Sequence, residues 1–155
     1  MSNPSAPGTT AAAPAAVSVI YIRATAEAIW RALTDPELTV RYHGGAFETD
    51  WRSGSRFRTI RDGRPDVEGE ILEVAPLRRL VHTFHALWSE STISDPVSRV
   101  TWEIEEAAPG VCRVTLVHDQ LIDSSATAKI VARAGPRILS ALKTLLETGT
   151  ELGIA

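Results

Sequence analysis

Residues Gly135 to Leu152 read GPRILSALKTLLETGTEL, and the shape of this stretch decides what the upstream chain must do. Ile138, Leu139, Leu142, Leu145 and Leu146 recur at three- and four-residue steps, which puts them on one face of a helix. Arg137, Lys143, Thr144, Glu147 and Thr148 fall largely on the other side. Gly135-Pro136 predicts the helix start, because proline at the first helical position loses no needed N–H and arrives with φ already set. About 18 residues at about 1.5 Å each make a rod of roughly 27 Å, the length of a strand of about 8 residues. A rod this apolar on one side must lie on something, and the strand-like runs upstream are the candidates.

The chain has 155 residues, enough for one domain with a real core, and its hydrophobic (44%) and charged (23%) fractions are those of a globular protein. A net charge of -3 argues against a nucleic-acid surface, which calls for a basic stripe. No apolar run is long enough to span a bilayer, so no membrane insertion is expected. Residues 1–16 are rich in Ala, Pro, Ser and Thr and lack the basic start and apolar centre of a secretory signal, which predicts a disordered leader before a domain at 17–152. The single cysteine, Cys112, excludes an internal disulfide framework and fits a reducing cytoplasm.

Taken in order, Val17 to Arg23 predicts a strand. Thr25 caps a short amphipathic helix carrying Ile29, Trp30 and Leu33, Asp35-Pro36 ends it, and Pro36 opens a second helix through Tyr42. After His43-Gly44-Gly45 come strand-like runs at Phe47 to Arg52, Ser55 to Arg61, Val67 to Val74 and Arg79 to Trp88, punctuated by Ser53-Gly54, Asp62-Gly63-Arg64-Pro65 and Ala75-Pro76. Ser89 to Pro96 reads as a polar loop. The clearest hairpin follows: Val100, Trp102 and Ile104 alternate with polar residues, Pro109-Gly110 turns the chain, and Cys112, Val114, Leu116 and His118 alternate again. Asp119 to Arg133 predicts a loop with a helical turn around Ala126 to Ala132. A β-α-α start, a meander of strands and a final helix indicate α+β, an antiparallel sheet with helices on one face.

Several stretches in that order carry a resemblance: Ala28 to Glu37 (AIWRALTDPE), Gly69 to Pro76 (GEILEVAP), Arg99 to Ile104 (RVTWEI), Val114 to His118 (VTLVH) and Leu139 through Gly149. Together they resemble the SRPBCC or START-like (helix-grip, Bet v-like) superfamily, and within it the family of activators of heat shock protein 90 ATPase and their homologues. The resemblance implies a curved antiparallel sheet wrapped around the long C-terminal helix, with two short helices after the first strand. It also implies a pocket, since a curved sheet cannot close fully on one helix, and concave apolar pockets with a few polar groups are the usual small-molecule sites.

If the even-numbered hairpin residues face inward, Val100, Trp102, Ile104, Val114 and Leu116 form an apolar wall with His118 at its edge. On the fourth strand, Leu80, His82, Phe84, Ala86 and Trp88 share one parity and Val81, Thr83, His85 and Leu87 the other; the pattern leaves both faces open. Among Arg56, Arg58, Arg61 and Arg64, one pointing inward could receive a ligand carboxylate bidentately, and Arg58 is preferred because its parity is opposite to Phe57. With Trp30, Tyr42, Leu139 and Leu142 added from the helices, and His82 and Phe84 from the fourth strand, these are the candidate ligand contacts. His118 is a candidate acid or base, since histidine titrates near neutrality. His82 and His85, three apart on a strand, face opposite ways and cannot share a metal ion, so no metal and no cofactor are expected. His43-Gly44-Gly45 lacks a Gly-x-Ser-x-Gly elbow and reads as a turn. Glu68, Glu70 and Glu73 read as solvated surface, and Cys112 as packing.

Three functions fit this reading. The leading one is a protein holding a hydrophobic or aromatic small molecule between sheet and helix. The second is an enzyme of the polyketide cyclase or aromatase kind in the same pocket, with His118 and Arg58 or Glu70 shuttling protons. The third, from the family label, is a partner of the chaperone. A homodimer through the sheet's outer face or strand edges is compatible with the pattern.

Overall fold

The computed structural model of the chain describes residues 15–153. Most of the expected leader therefore lies outside the described residues, and Ala16 already belongs to a strand. The elements run β1 (Ala16–Ile22), α1 (Ala26–Thr34), α2 (Pro36–Tyr42), β2 (Ala46–Glu48), β3 (Arg56–Arg61), β4 (Arg64–Ala75), β5 (Arg79–Ala86), α3 (Glu90–Ile93), β6 (Ser98–Ala108), β7 (Val111–Asp119) and α4 (Ala126–Thr148). The strands form one seven-stranded antiparallel sheet in the order β1-β7-β6-β5-β4-β3-β2. It curves around α4, giving an α+β helix-grip fold.

Local chemistry explains each joint. Thr25 Oγ1 accepts from Ala28 N to cap α1, and Asp35 closes α1 and caps α2 through Glu37 N before Pro36 at its first turn. Asp62 and Gly63 both take positive φ (53° and 77°), the pair of values a two-residue hairpin turn needs, and this fixes Arg61 opposite Arg64. The β6–β7 register sets Val100 opposite His118, Trp102 opposite Leu116 and Ile104 opposite Val114, and all six side chains are buried on the inner face.

Curvature concentrates in β4. A side chain at Gly69 would bring its Cβ within 2.0 Å of the Thr83 carbonyl oxygen, so only glycine lets β4 and β5 approach so closely. The Glu70 N–H donates to Thr83 Oγ1 at 2.8 Å beside this point, and a register shift follows between Ile71 and Glu73.

The final helix corrects the expected boundaries. α4 starts at Ala126, capped by Ser125, so Gly135 and Pro136 lie inside it and the expected separate turn at Ala126 to Ala132 is its first half. The start is secured by Asp95, whose carboxylate accepts from Thr127 N (2.9 Å) and Oγ1 (2.7 Å). Gly135 sits close against β1: a Cβ there would lie 2.7 Å from Ser18 Oγ, a hydroxyl that would have to turn aside. Pro136 leaves the Ala132 carbonyl without its helical donor, and both residues are exposed, where water can replace it. Gly149 ends the helix with φ 79° and donates to Leu145 O at 2.8 Å.

Two smaller corrections follow the same logic. The strand expected over Phe47 to Arg52 stops at Glu48, because Trp51 takes φ 57°. The expected loop at Ser89 to Pro96 contains α3, held by a reciprocal Ser89–Thr92 capping box.

The core is filled unevenly. Ile22, Ile29, Leu33, Leu80, Val114 and Leu142 are fully buried toward the two short helices. Burial of each is worth about 1.5–3 kcal/mol. Between the first half of α4 and the inner face of the sheet the interior stays open.

Candidate functional site

The opening is a cavity of about 350 Å³, within the range of small-molecule sites. Its helical wall is Ile130, Val131, Ala134, Gly135, Arg137 and Ile138 of α4. Its sheet wall is strongly aromatic: Phe47, Phe57 and Phe84, all the phenylalanines of the chain, line it together with Trp88 and Trp102 and with three of the four histidines, His43, His82 and His118.

These rings hold one another in place. His43 meets Phe47 edge-on at 4.7 Å between centroids, Phe47 meets Phe57 at 5.3 Å, and Phe57 stacks on His82 at 3.9 Å. A second group is centred on Phe84, with His118 at 4.5 Å and Trp88 at 5.8 Å.

Burial favours the neutral form of the three cavity histidines. Burial pushes the pKa of His82 down to about 4, against a weaker upward pull from its bond to Thr83. Burial does the same to His118, also to about 4, helped by nearby His82. His43 is lowered to about 4 by burial and then by the positive charges of Arg61 and Arg137. Because a carbonyl oxygen only accepts, the 2.7 Å contact of His82 Nδ1 with Thr83 O fixes the proton on Nδ1 and leaves Nε2 an acceptor. His118 Nε2 lies 2.7 Å from Ser98 Oγ, which in turn reaches Phe84 O at 3.3 Å. His43 Nδ1 is buried without a hydrogen-bond partner.

The polar groups gather at the β3–β4 end. Arg61 Nε donates to Asp66 Oδ2 at 2.8 Å, while Thr59 Oγ1 donates to Asp66 Oδ1. Trp88 is held nearby, since Leu87 N donates to Asp66 O at 2.9 Å. A second pocket of about 180 Å³ shares His43, Arg61, Arg137 and Ile138 with the main cavity and continues past Tyr42 and Arg41 toward Leu152.

Of the residues singled out from sequence, His82, Phe84, Val100, Trp102, Leu116 and His118 line the cavity. Trp30 packs half-buried against the core, and Ile104 and Val114 are buried in the filled half. Tyr42 borders the second pocket and donates its hydroxyl to Ala32 O at 2.8 Å. Leu139 and Leu142 are core residues; because α4 starts earlier than expected, its preceding turns meet the cavity instead. Arg58 is paired with Glu48 and does not line the cavity; the β3 arginine that does is Arg61, which shares the parity of the buried Phe57 and Thr59 and stays exposed at the rim. Glu70 is exposed and does not line the cavity.

His43, Phe47, Phe57, Asp66, Trp88 and Arg137 line the cavity without having been singled out from the sequence as ligand contacts, and Arg61 was weighed there only behind Arg58. The alternation of Phe57, Thr59 and Arg61 was the available signal for one strand; nothing in the pattern marked Arg137. Among the described residues no three His, Cys, Asp or Glu side chains come close enough to hold a metal ion. Cys112 is buried, and burial followed by Glu106 and Glu27 raises its thiol pKa, which suits packing rather than reactivity. Among the described residues no helix is long and apolar enough to cross a membrane.

Comparison with known proteins supports the architecture. CalU16 from Micromonospora echinospora is 21% identical over 88% of this chain and 78% of its own, with a TM-score of 0.71. The Aha1 dimer from Colwellia psychrerythraea is 17% identical over 88% of this chain and 98% of its own, with a TM-score of 0.71. DynU16, from the dynemicin biosynthetic locus, is 18% identical over 88% of this chain and 48% of its own, with a TM-score of 0.72. At such identities these likenesses establish the fold alone. A search of curated proteins gives no match. The family model described as "Activator of Hsp90 ATPase homolog 1-like protein" matches residues 23–147, most of the chain, and the protein belongs to that family.

Proposed function

We propose that this protein binds a hydrophobic or aromatic small molecule in the cavity between its sheet and the first half of α4. The observation that carries this reading is the concentration of rings: every phenylalanine of the chain and three of its four histidines surround one void of about 350 Å³. A void among packed rings forgoes dispersion contacts that an apolar guest would restore. The neutral imidazoles add acceptors and donors without adding charge. An imidazole held near pKa 4 is a weak base at neutral pH, which favours binding over the proton-shuttling alternative for His118.

The test is a panel of aromatic and aliphatic compounds scored by melting temperature and Trp fluorescence. A ligand at a hundredfold over its Kd stabilises by about 2.7 kcal/mol. A folded protein whose melting temperature is unmoved by every member of the panel would contradict the reading.

A second reading, a role with a chaperone partner, draws on the family and on one surface. Val17, Val19 and Tyr21 form an exposed apolar row along the outer face of the edge strand β1. Stimulation of a heat shock protein 90 ATPase by the purified protein, lost on Val19→Glu, is the expected result; no stimulation removes this reading.

A further inference from the structure

The cavity's one charged corner is unbalanced. Arg61 and Arg137 both line it, and both also line the adjoining pocket, so their guanidiniums stand at the partition between the two. One carboxylate, Asp66, faces them, and its two oxygens are already taken by Arg61 Nε and Thr59 Oγ1. Arg137 has no carboxylate within salt-bridge distance among the described residues. Glu151, the acidic residue of the second pocket, is engaged by Arg41 at 3.3 Å. With neutral histidines, one positive charge is left without a protein counter-charge where the apolar void opens to solvent, since Arg61 and Arg137 are both exposed.

Gly44 and His43 border this corner. Gly44 takes φ 92°, and a Cβ there would lie 2.5 Å from Arg61 Nη1. A side chain there would turn the end of Arg61 aside. Beside it His43 Nδ1 is enclosed without a hydrogen-bond partner among the described residues.

We infer that Arg61 and Arg137, with His43 beside them, form a carboxylate subsite, so that the ligand is an aromatic or apolar monocarboxylic acid with its ring against the phenylalanine wall. This rests on the reading of the cavity as a ligand site and names the class of ligand. Arg61 keeps its Nη groups for the acid while Nε stays on Asp66, and Arg137 supplies a second fork from the helix. A single uncompensated charge matches a monoanion better than a phosphate dianion. The aromatic rings on β3 and β5 then take the apolar end.

The test compares 2-naphthoic acid with 2-naphthamide, equal in shape and different in charge, by calorimetry and Trp fluorescence on the full chain at neutral pH. The acid is expected to bind about tenfold tighter than the amide. Arg137→Gln, an exposed position that leaves the Arg61–Asp66 pair intact, is expected to erase that preference while amide affinity holds. Arg58→Gln, on the outside, is expected to leave the preference in place. Equal binding of acid and amide by the unaltered protein, or equal loss of both in Arg137→Gln, overturns the subsite and leaves the cavity reading standing. Failure of both compounds to bind overturns both. A parallel titration with 2-naphthyl phosphate that binds tighter than the acid would also overturn the assignment to a monocarboxylate.

Discussion

His43, His82 and His118 make the interior sensitive to acid. Each has its pKa near 4 in the folded protein against an ordinary value of 6.5, with burial the first cause in every case. The unfolded chain therefore binds more protons than the folded one between those values, and stability falls as pH drops from about 6.5 toward about 4. The loss is about 3 kcal/mol for each imidazole once both states are protonated. Asp95, Asp119 and Glu147 do not blur this window: hydrogen bonds to Thr127, to Arg99 and to Arg23 lower their pKa values, so their contribution fails only below the usual carboxylate range. Urea midpoints at pH 7.5, 6 and 5 should decline in step, and His82→Phe should flatten the decline. A midpoint constant down to pH 5 would show that the imidazoles are already solvated. At this scale the sequence was half legible. Alternation on β6 and β7 pointed to Val100, Trp102, Leu116 and His118, which line the cavity, because a period of two leaves little choice of face. It misled at Arg58, where the parity of Phe57 marked the inner face and the arginine that shares it is Arg61.

Among the elements, β4 and α4 carry the fold's unusual demands. Gly69→Ala would press a methyl group into the Thr83 carbonyl, which backbone must move to relieve, at a cost of about 1–3 kcal/mol. Denaturation of that variant should show the loss, and unchanged stability would mean that β4 and β5 are not held so closely. In α4, Pro136 breaks the hydrogen-bond ladder on an exposed turn; Pro136→Ala should add about 1–3 kcal/mol and raise the melting temperature. A fall instead would mean that the proline shapes the helix for its packing on β1. Gly135-Pro136 is also where the sequence reading of this element failed. The pair is a strong start signal locally, yet α4 begins nine residues earlier at Ala126, where Asp95 holds Thr127, a contact between residues far apart in the chain that no local pattern contains. Its leucine face was legible because Leu139, Leu142 and Leu145 recur at three-residue steps and are all buried.

For the molecule as a whole, the order of elements was readable from turn chemistry and hydrophobic period. The size and lining of the void were not, because they depend on where the curved sheet fails to meet the helix. That failure is central to the account: one end of the interior is packed solid by Ile29, Leu33, Leu80 and Leu142, and the other is held open by a ring of aromatic side chains. The most direct measurement is a fluorescence titration with N-phenyl-1-naphthylamine, an uncharged apolar probe, on the unaltered protein and on Ala134→Trp, which places an indole in the cavity. The account predicts one saturable site per chain with energy transfer from Trp88 or Trp102, and loss of that site in a variant whose circular dichroism is unchanged. Absence of saturable binding, or binding that Ala134→Trp leaves intact, would contradict it.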